Sequence, residues 1–139
     1  MRRRAALLAL SLIGLSGCSS TSQLLSRQYH SAEPKFIVFY SAWSSTLDGQ
    51  GLAVVSQAAQ AALKDPGSTV QVVGFASTIG TDAANQTLSE QRASNVMNQI
   101  IADGVPSNRV TSMARGATSY QLSPIEARRV EIDIIHAGF

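Results

Sequence analysis

Apolar and polar positions along the chain define four short segments of strand character and two longer segments of helical period. Residues 36–40 form a continuous apolar run rich in aromatic and β-branched side chains, which is typical of a buried strand. Residues 129–135 alternate apolar with charged side chains, which indicates a strand with one buried and one solvated face. Residues 69–75 and, more weakly, 109–114 supply two further predicted strands.

Two helices are predicted between these strands. In the first, apolar residues recur at helical spacing at Leu52, Val55, Ala59, Ala62 and Leu63. A capping box of Ser45 and Asp48 is expected before it, and Pro66 ends it. The second is predicted over residues 82–103 and ends at Gly104. The order β-α-β-α-β-β predicts an α+β fold, a two-layer sandwich whose mixed four-stranded sheet carries both helices on one face.

The N-terminus has the organisation of a secretory signal peptide. Three arginines at residues 2–4 precede an apolar run over residues 5–15, which is too short to span a bilayer permanently. The segment Leu15-Ser16-Gly17-Cys18 then resembles the lipobox of bacterial lipoproteins, in which cleavage leaves the cysteine first and acylated. Cys18 is the only cysteine, and lipid attachment accounts for an unpaired thiol in an exported protein.

This resemblance implies a division of the chain into three parts. Residues 1–17 are expected to be a lipoprotein signal peptide, residues 18–34 the lipidated cysteine and a flexible tether, and residues 35–139 the folded domain. Acyl chains such as palmitate on Cys18 would anchor the protein to a membrane. By the sorting rule of such lipoproteins, Ser19 after the cysteine implies the outer membrane, with the domain facing the periplasm.

The signal peptide also explains the basic character of the sequence. The chain has 11 basic and 9 acidic residues, a formal net charge of +2. Without the three arginines of the predicted signal, eight basic residues remain against nine acidic ones. A nucleic-acid-binding domain would keep a basic patch after processing, so nucleic acid is not an expected partner.

The most informative stretch is 74–96, where a predicted strand passes through a polar turn into the second helix. Asn85 and Arg92 lie seven residues apart, on one face of that helix. A polar pocket is therefore expected where the sheet edge meets the helix. Its glycines, Gly74 and Gly80, bracket the turn.

The same stretch resembles the OmpA-like C-terminal domain, the type also found in MotB and in Pal-type lipoproteins. The matching motif is G-x-T-D-x-x-G-x-x-x-x-N-x-x-L-S-x-x-R-A-x-x-V, and the matching positions are Gly74, Gly80, Asn85, Leu88-Ser89, Arg92-Ala93 and Val96. Flanking matches include Gly104-Val105-Pro106, Arg109, Gly116 and Arg128-Arg129-Val130-Glu131-Ile132. The resemblance implies a non-catalytic domain that binds peptidoglycan through the diaminopimelate of its stem peptide.

The resemblance also implies roles for individual residues. Diaminopimelate presents an ammonium and a carboxylate on one carbon, and in the family an aspartate takes the first and a helix arginine the second. Arg92 stands at the arginine position, but Ser77 stands where the family has its aspartate. Asn85 would orient polar groups, and Arg128 and Arg129 match the family's later arginines, although Ala127 replaces the asparagine before them.

Each of these residues also has a structural interpretation. Ser77 and Asn85 are suited to capping a turn and a helix start. Arg92 could be a solvated helix residue, and Arg128 and Arg129 could lie on the solvated face of an edge strand.

Two functions remain open at the level of sequence. The first is an outer-membrane lipoprotein that binds peptidoglycan and links the membrane to the cell wall. The second is an envelope scaffold of the same fold that contacts other envelope proteins and has lost wall binding through Ser77. No enzyme motif is present, the two histidines lie far apart at His30 and His136, and no cofactor or metal is expected.

Overall fold

The computed structural model describes residues 35–119, 121 and 123–137. The predicted signal peptide, the predicted lipidation site Cys18 and the predicted tether lie outside the described residues. The folded part belongs to one compact unit, Ala32–Phe139. None of the helices in the described ranges combines the length and the apolar character needed to cross a bilayer.

The sheet has four strands in the spatial order β1-β4-β2-β3. Their bounds are β1 Phe36–Phe39, β2 Thr69–Ala76, β3 Val110–Ala117 and β4 Arg129–Ile135. Strand β4 runs antiparallel to both β1 and β2, whereas β2 and β3 are parallel. The predicted mixed four-stranded α+β sandwich is confirmed, and the last strand has the predicted bounds.

Helix α1, Gly49–Lys64, crosses from β1 to β2. The predicted capping box was wrong: Asp48, not Ser45, is the N-cap, and its Oδ1 accepts the N–H of Gly51 at 2.7 Å. Leu52 and Leu63 are also not core residues, since they are 42% and 43% exposed. The face that packs on the core consists mainly of alanine, and these small side chains let the helix lie close to the sheet. Its buried members are Val55, Ala58, Ala59 and Ala62.

Helix α2, Asp82–Ala102, is the longer of the two and crosses from β2 to β3. Its N-cap is Thr81, whose hydroxyl accepts the N–H of Ala84. Gly104 ends the helix as predicted, with a φ of 106° that suits glycine. Val96 and Ile100 face the sheet and are fully buried.

Helix α2 packs unusually close to β2 at Gly74. A Cβ at this position would lie 2.1 Å from the backbone oxygen of Ser89 and 3.1 Å from the Cβ of Ala93. The side chain of Ser89 completes the contact on the next strand, where its Oγ accepts the N–H of Gly116 at 3.0 Å. This packing fixes the position of the α2 residues that follow, including Arg92.

Two short elements were not predicted. A 3-10 turn, Ser107–Arg109, precedes β3, and a one-turn helix α3, Pro124–Ala127, precedes β4. The second carries a recognisable signal, because Ser123 and Glu126 form a capping box with a proline at the helix start.

Arg109 has a structural role at the end of α1. Its Nε donates to the carbonyl of Ser68 at 2.7 Å, and its Nη2 donates to the carbonyls of Ala62 and Asp65, both at 2.7 Å. These acceptors include a carbonyl from the last turn of the helix, which has no partner within the helix. Arg109 therefore ties the α1–β2 turn to the start of β3.

The sheet face opposite the helices carries an ion-pair cluster centred on Glu131. Its carboxylate pairs with Lys35 at 2.8 Å and with Arg129 at 2.7 Å. Burial by itself would raise the pKa of the Glu131 carboxyl, but the hydrogen bonds from Lys35 and Arg129 outweigh burial and hold this pKa below its ordinary value.

This pKa predicts a pH dependence of stability. A carboxyl whose pKa is lowered by folding contributes stability above its unfolded pKa of 4.5 and loses it as the pH falls through the lower folded value. We expect Glu131→Gln to be less stable than wild type at pH 7, with a difference that shrinks below about pH 4.5. Urea unfolding at pH 7 and pH 3 measures this difference, and an equal difference at both values would contradict the prediction.

Candidate functional site

A small pocket of about 40 Å³ lies where the start of α2 meets the loop after β1 and the turn after β2. Its lining residues come from four separate parts of the chain: Ala42, Trp43, Ser77, Ile79, Asn85, Leu88, Arg92 and Arg128. Asn85 and Arg92 are buried, whereas Trp43 and Ile79 are each 60% exposed. The two buried polar residues therefore form the inner end, and the two exposed apolar residues form the mouth.

Arg92 is fully buried, with 0% of its surface exposed. Its guanidinium donates to three backbone carbonyls: Nε to Ser44 at 2.7 Å, Nη1 to Phe75 at 2.9 Å and Nη2 to Ser41 at 3.3 Å. These three bonds use three of the five N–H groups of an arginine, so one N–H on each terminal nitrogen is left over among the described contacts. Arg92 is thus not a solvated helix residue.

The charge of Arg92 is balanced by no carboxylate among the described residues. Its guanidinium lies 4.9 Å from the centroid of the Tyr40 ring, at a distance that permits a cation–π contact. Burial lowers the pKa of Arg92, Tyr40 raises it and the charge of Arg128 lowers it. Arginine stays charged through such a shift, so the pocket contains a buried cation without a counter-ion from the described chain.

Two further buried polar atoms beside Arg92 lack partners. The Oδ1 of Asn85 and the hydroxyl of Tyr40 form no hydrogen bond within the described residues. The amide nitrogen of Asn85 is bound, since it donates to the carbonyl of Ile79 at 3.1 Å. Burial also raises the pKa of the Tyr40 hydroxyl, which therefore stays protonated. Unpaired buried polar atoms are costly, and their concentration around one cation marks a site built for a ligand or for ordered water.

The mouth of the pocket has an unusual backbone. Trp43 adopts a φ of 61°, the only positive φ of a non-glycine residue in the described ranges. Its ring lies against Gly80, where a Cβ would come within 2.8 Å of the indole edge. Gly80 itself has a φ of 102°, so both its backbone conformation and its missing side chain are required at this contact. The Trp43–Gly80 contact holds an aromatic ring at the rim.

Ser77 and Arg128 also line the pocket. The Oγ of Ser77 accepts the N–H of Ile79 at 3.2 Å, so the residue also has the turn-capping role that its type suggests. The Nε of Arg128 donates to the carbonyl of Tyr40 at 3.1 Å. This bond brings a second cation beside Arg92.

The structure therefore brings together four of the five predicted binding residues, namely Ser77, Asn85, Arg92 and Arg128. Arg129 does not line the pocket. It lies on the opposite face of the sheet, where it pairs with Glu131 and stacks on the Phe75 ring at 4.1 Å. The reason is that Arg129 is the first residue of β4 and shares the sheet face of Glu131, two residues further on, whereas Arg128 precedes the strand as the C-cap of helix α3.

Sequence reasoning misses the apolar part of the site, made of Ala42, Trp43, Ile79 and Leu88. The available signals were weak: the only tryptophan of the chain stands in a polar loop, and Ile79 stands alone in a polar turn. Among the described residues, no group of histidine, cysteine, aspartate or glutamate is arranged to hold a metal ion.

The family model described as the OmpA family matches residues 39–128, which include every residue of the pocket. The chain belongs to the OmpA family. Its relatives include Outer membrane protein A of Bordetella avium, with 34% identity over 107 residues, and Outer membrane protein A of Salmonella typhi, with 36% identity over 84 residues. These alignments cover 70% and 59% of this chain.

This OmpA family chain spans about half the length, or less, of those relatives: 53% of the Bordetella avium protein and 24% of the Salmonella typhi protein. Solved structures show the same fold. The peptidoglycan-associated lipoprotein from Burkholderia pseudomallei matches with a TM-score of 0.65 at 21% identity, over 70% of this chain and 88% of that one. The C-terminal domain of Helicobacter pylori MotB matches with a TM-score of 0.64 at 22% identity, over 75% and 85% of the two chains.

Proposed function

We propose that the protein is a non-catalytic outer-membrane lipoprotein whose domain binds peptidoglycan and links the membrane to the cell wall. The observation that carries the proposal is the buried cation of Arg92 at the inner end of a pocket, with no carboxylate partner among the described residues. The carboxylate of a stem-peptide diaminopimelate would supply the missing counter-charge.

The chemistry of the pocket supports an anionic ligand. A carboxylate that enters past Trp43 and Ile79 would meet the remaining N–H groups of Arg92 and the side chain of Arg128. Hydrogen bonds between ionised groups are stronger than neutral ones, and a planar guanidinium suits a planar carboxylate. An N–H donor beside that carboxylate would also pair the Oδ1 of Asn85, which lacks a partner within the described chain.

The names of related proteins support the envelope location. One structural neighbour is titled a peptidoglycan-associated lipoprotein, and several sequence relatives are named Outer membrane protein A. Together with the predicted lipobox at Cys18, these names favour anchoring by acyl chains in the outer membrane, with the domain in the periplasm. Metabolic labelling with a palmitate analogue tests this anchor in a Gram-negative host: wild type should be labelled and Cys18→Ala should not.

The binding proposal predicts different effects for two neighbouring arginines. Arg128→Gln removes a cation from the pocket wall, and we expect it to lower the retention of the protein on isolated peptidoglycan by about five- to tenfold. Arg129→Gln is the matched control, because the same change is made one residue later on the opposite face of the sheet. We expect its retention to equal that of wild type.

Co-sedimentation of the purified full chain with peptidoglycan sacculi measures this retention. Circular dichroism should first establish that both variants are folded at the assay temperature, because Arg129 also forms an ion pair. A loss of retention in Arg129→Gln alone would move the binding surface to the open sheet face.

A scaffold function without wall binding is the alternative, and Ser77 is the observation that favours it. Where the family has an aspartate, the pocket presents a neutral hydroxyl that is already bound to the backbone of the turn. Absence of wild-type sedimentation under conditions where a peptidoglycan-binding OmpA family protein sediments would favour this alternative. Crosslinking in cells would then identify the envelope proteins that the domain contacts.

A further inference from the structure

Among the described residues, those that line the pocket include Arg92 and Arg128, and none of them is acidic. An ammonium group brought to this pocket would therefore meet cations from Arg92 and Arg128 and no compensating carboxylate. Asp48, which ends the loop after β1, caps helix α1 through its Oδ1 and acts electrostatically on Tyr40, but it does not line the pocket. The electrostatics of the site oppose the cationic half of a zwitterionic amino acid.

The neutral acceptors of the pocket suit a different nitrogen. Ser77 already accepts an N–H from the turn, whereas the Oδ1 of Asn85 is buried and has no partner among the described residues. An acylated amine is a secondary amide with a single N–H donor, which one unpaired amide oxygen can accept. The neutral oxygen of Asn85 does not supply the negative charge that would balance an ammonium.

The apolar rim provides space for the acyl group. Trp43 and Ile79 are exposed at the mouth, and Leu88 continues the apolar wall inward. An acyl substituent on the nitrogen would bury apolar surface against these side chains, whereas a bare ammonium would lose solvation there.

From these three features we infer that the pocket selects a carboxylate whose neighbouring nitrogen is acylated, in preference to a free zwitterionic amino acid. The carboxylate binds Arg92 and Arg128, the amide N–H donates to Asn85, and the acyl group lies against Trp43 and Ile79. In peptidoglycan this group occurs where the amine of diaminopimelate is joined to a second stem peptide, and also at the free C-terminal carboxylate of a stem peptide. This inference rests on the proposed wall-binding function and specifies its ligand.

The chain carries its own reporter for the test. Trp43 is the only tryptophan, and it lies at the pocket mouth, so its fluorescence reports on occupancy of this site alone. The full chain, purified in detergent, is titrated with three probes: meso-diaminopimelate, its N,N′-diacetyl derivative, and the diacetyl derivative with both carboxylates converted to amides. We expect the diacetyl derivative to bind at least fivefold more tightly than the free amino acid, and the diamide to bind at least tenfold more weakly than the diacetyl derivative.

A single substitution should reverse the preference. Ser77→Asp places a carboxylate in the pocket wall, and this carboxylate would pair with the ammonium of the free amino acid. We expect this variant to bind free diaminopimelate more tightly than the diacetyl derivative. Ser112→Asp is the control for added charge, because Ser112 is an exposed residue of β3 that does not line the pocket.

The outcomes separate this inference from the proposed function. Tighter binding of free diaminopimelate by wild type, or no fluorescence change with any probe, would overturn the inference even if the protein sediments with sacculi. Failure to sediment with sacculi would overturn the wall-binding function. If wild type sediments and prefers the diacetyl probe, both are supported.

Discussion

Gly74→Ala will lower the free energy of unfolding by about 3 kcal/mol or more. The added Cβ would lie 2.1 Å from the backbone oxygen of Ser89 and 3.0 Å from its carbonyl carbon. The neighbouring atoms belong to backbone in the middle of helix α2, so they cannot move aside as the end of a flexible side chain would. Relief of the clash requires the helix to shift away from β2, which opens the packing of Ala93 and Val96 against the sheet.

Gly49→Ala is the matched control for this prediction. Gly49 begins helix α1, and a Cβ there would meet no atom within 4 Å. Replacing a helical glycine by alanine at a site without strain reduces the entropy of the unfolded chain, and we expect a gain of about 0.5 kcal/mol. Urea unfolding monitored by circular dichroism measures both changes. Equal effects of the two substitutions would show that close packing at Gly74 does not limit stability.

Arg92→Ala will lower peptidoglycan retention at least tenfold and will also lower the free energy of unfolding by about 3 kcal/mol. The loss of binding follows because the variant removes the cation at the inner end of the pocket. The loss of stability follows because the carbonyls of Ser41, Ser44 and Phe75 lose their common donor. One arginine therefore holds the loop after β1 against strand β2 and presents charge to the pocket.

The two effects of Arg92→Ala are separated by Arg109→Ala. Arg109 also donates to three backbone carbonyls, but it lies at the α1–β2 turn and does not line the pocket. We expect Arg109→Ala to lose comparable stability and to keep its retention on peptidoglycan. Sedimentation at a temperature where both variants are folded makes the comparison. Equal retention of the two variants would contradict the assignment of Arg92 to the binding site.

Arg92 is important in both experiments because no carboxylate within residues 35–119, 121 and 123–137 pairs with it. A buried charge is stable only when its environment replaces the water it has lost. Here three carbonyls and the face of Tyr40 provide part of that replacement. A ligand would form hydrogen bonds with the remaining N–H groups of Arg92 and with the unpaired Oδ1 of Asn85.

Much of the site followed from the motif of the second helix. Asn85 and Arg92 are seven residues apart, which is close to two helical turns, so the sequence alone places them on one face. Their burial could not be predicted, because it depends on the loop after β1 folding over the helix. That loop supplies two of the three carbonyls that bind Arg92.

The sequence does not show which of the two adjacent arginines, Arg128 or Arg129, lines the pocket. Both match the motif, but only Arg128 lines the pocket, because it is the C-cap of helix α3 and precedes the strand. Arg129 is the first residue of β4, where it pairs with Phe39 of β1 and its side chain lies on the same sheet face as Glu131. The apolar mouth of Trp43 and Ile79 was likewise invisible in the sequence, since it joins two loops that are distant along the chain.

The sequence by itself determined the order of strands and helices, the end of helix α2 at Gly104 and the family motif, because these depend on hydrophobic period, local backbone preferences and fixed spacing. The tertiary structure alone decided that Arg92 is buried without a described counter-ion, that Arg129 lies on the other face and that Trp43 lies at the pocket mouth. Each of these facts depends on contacts between segments that are far apart in the chain, and no local pattern encodes such contacts.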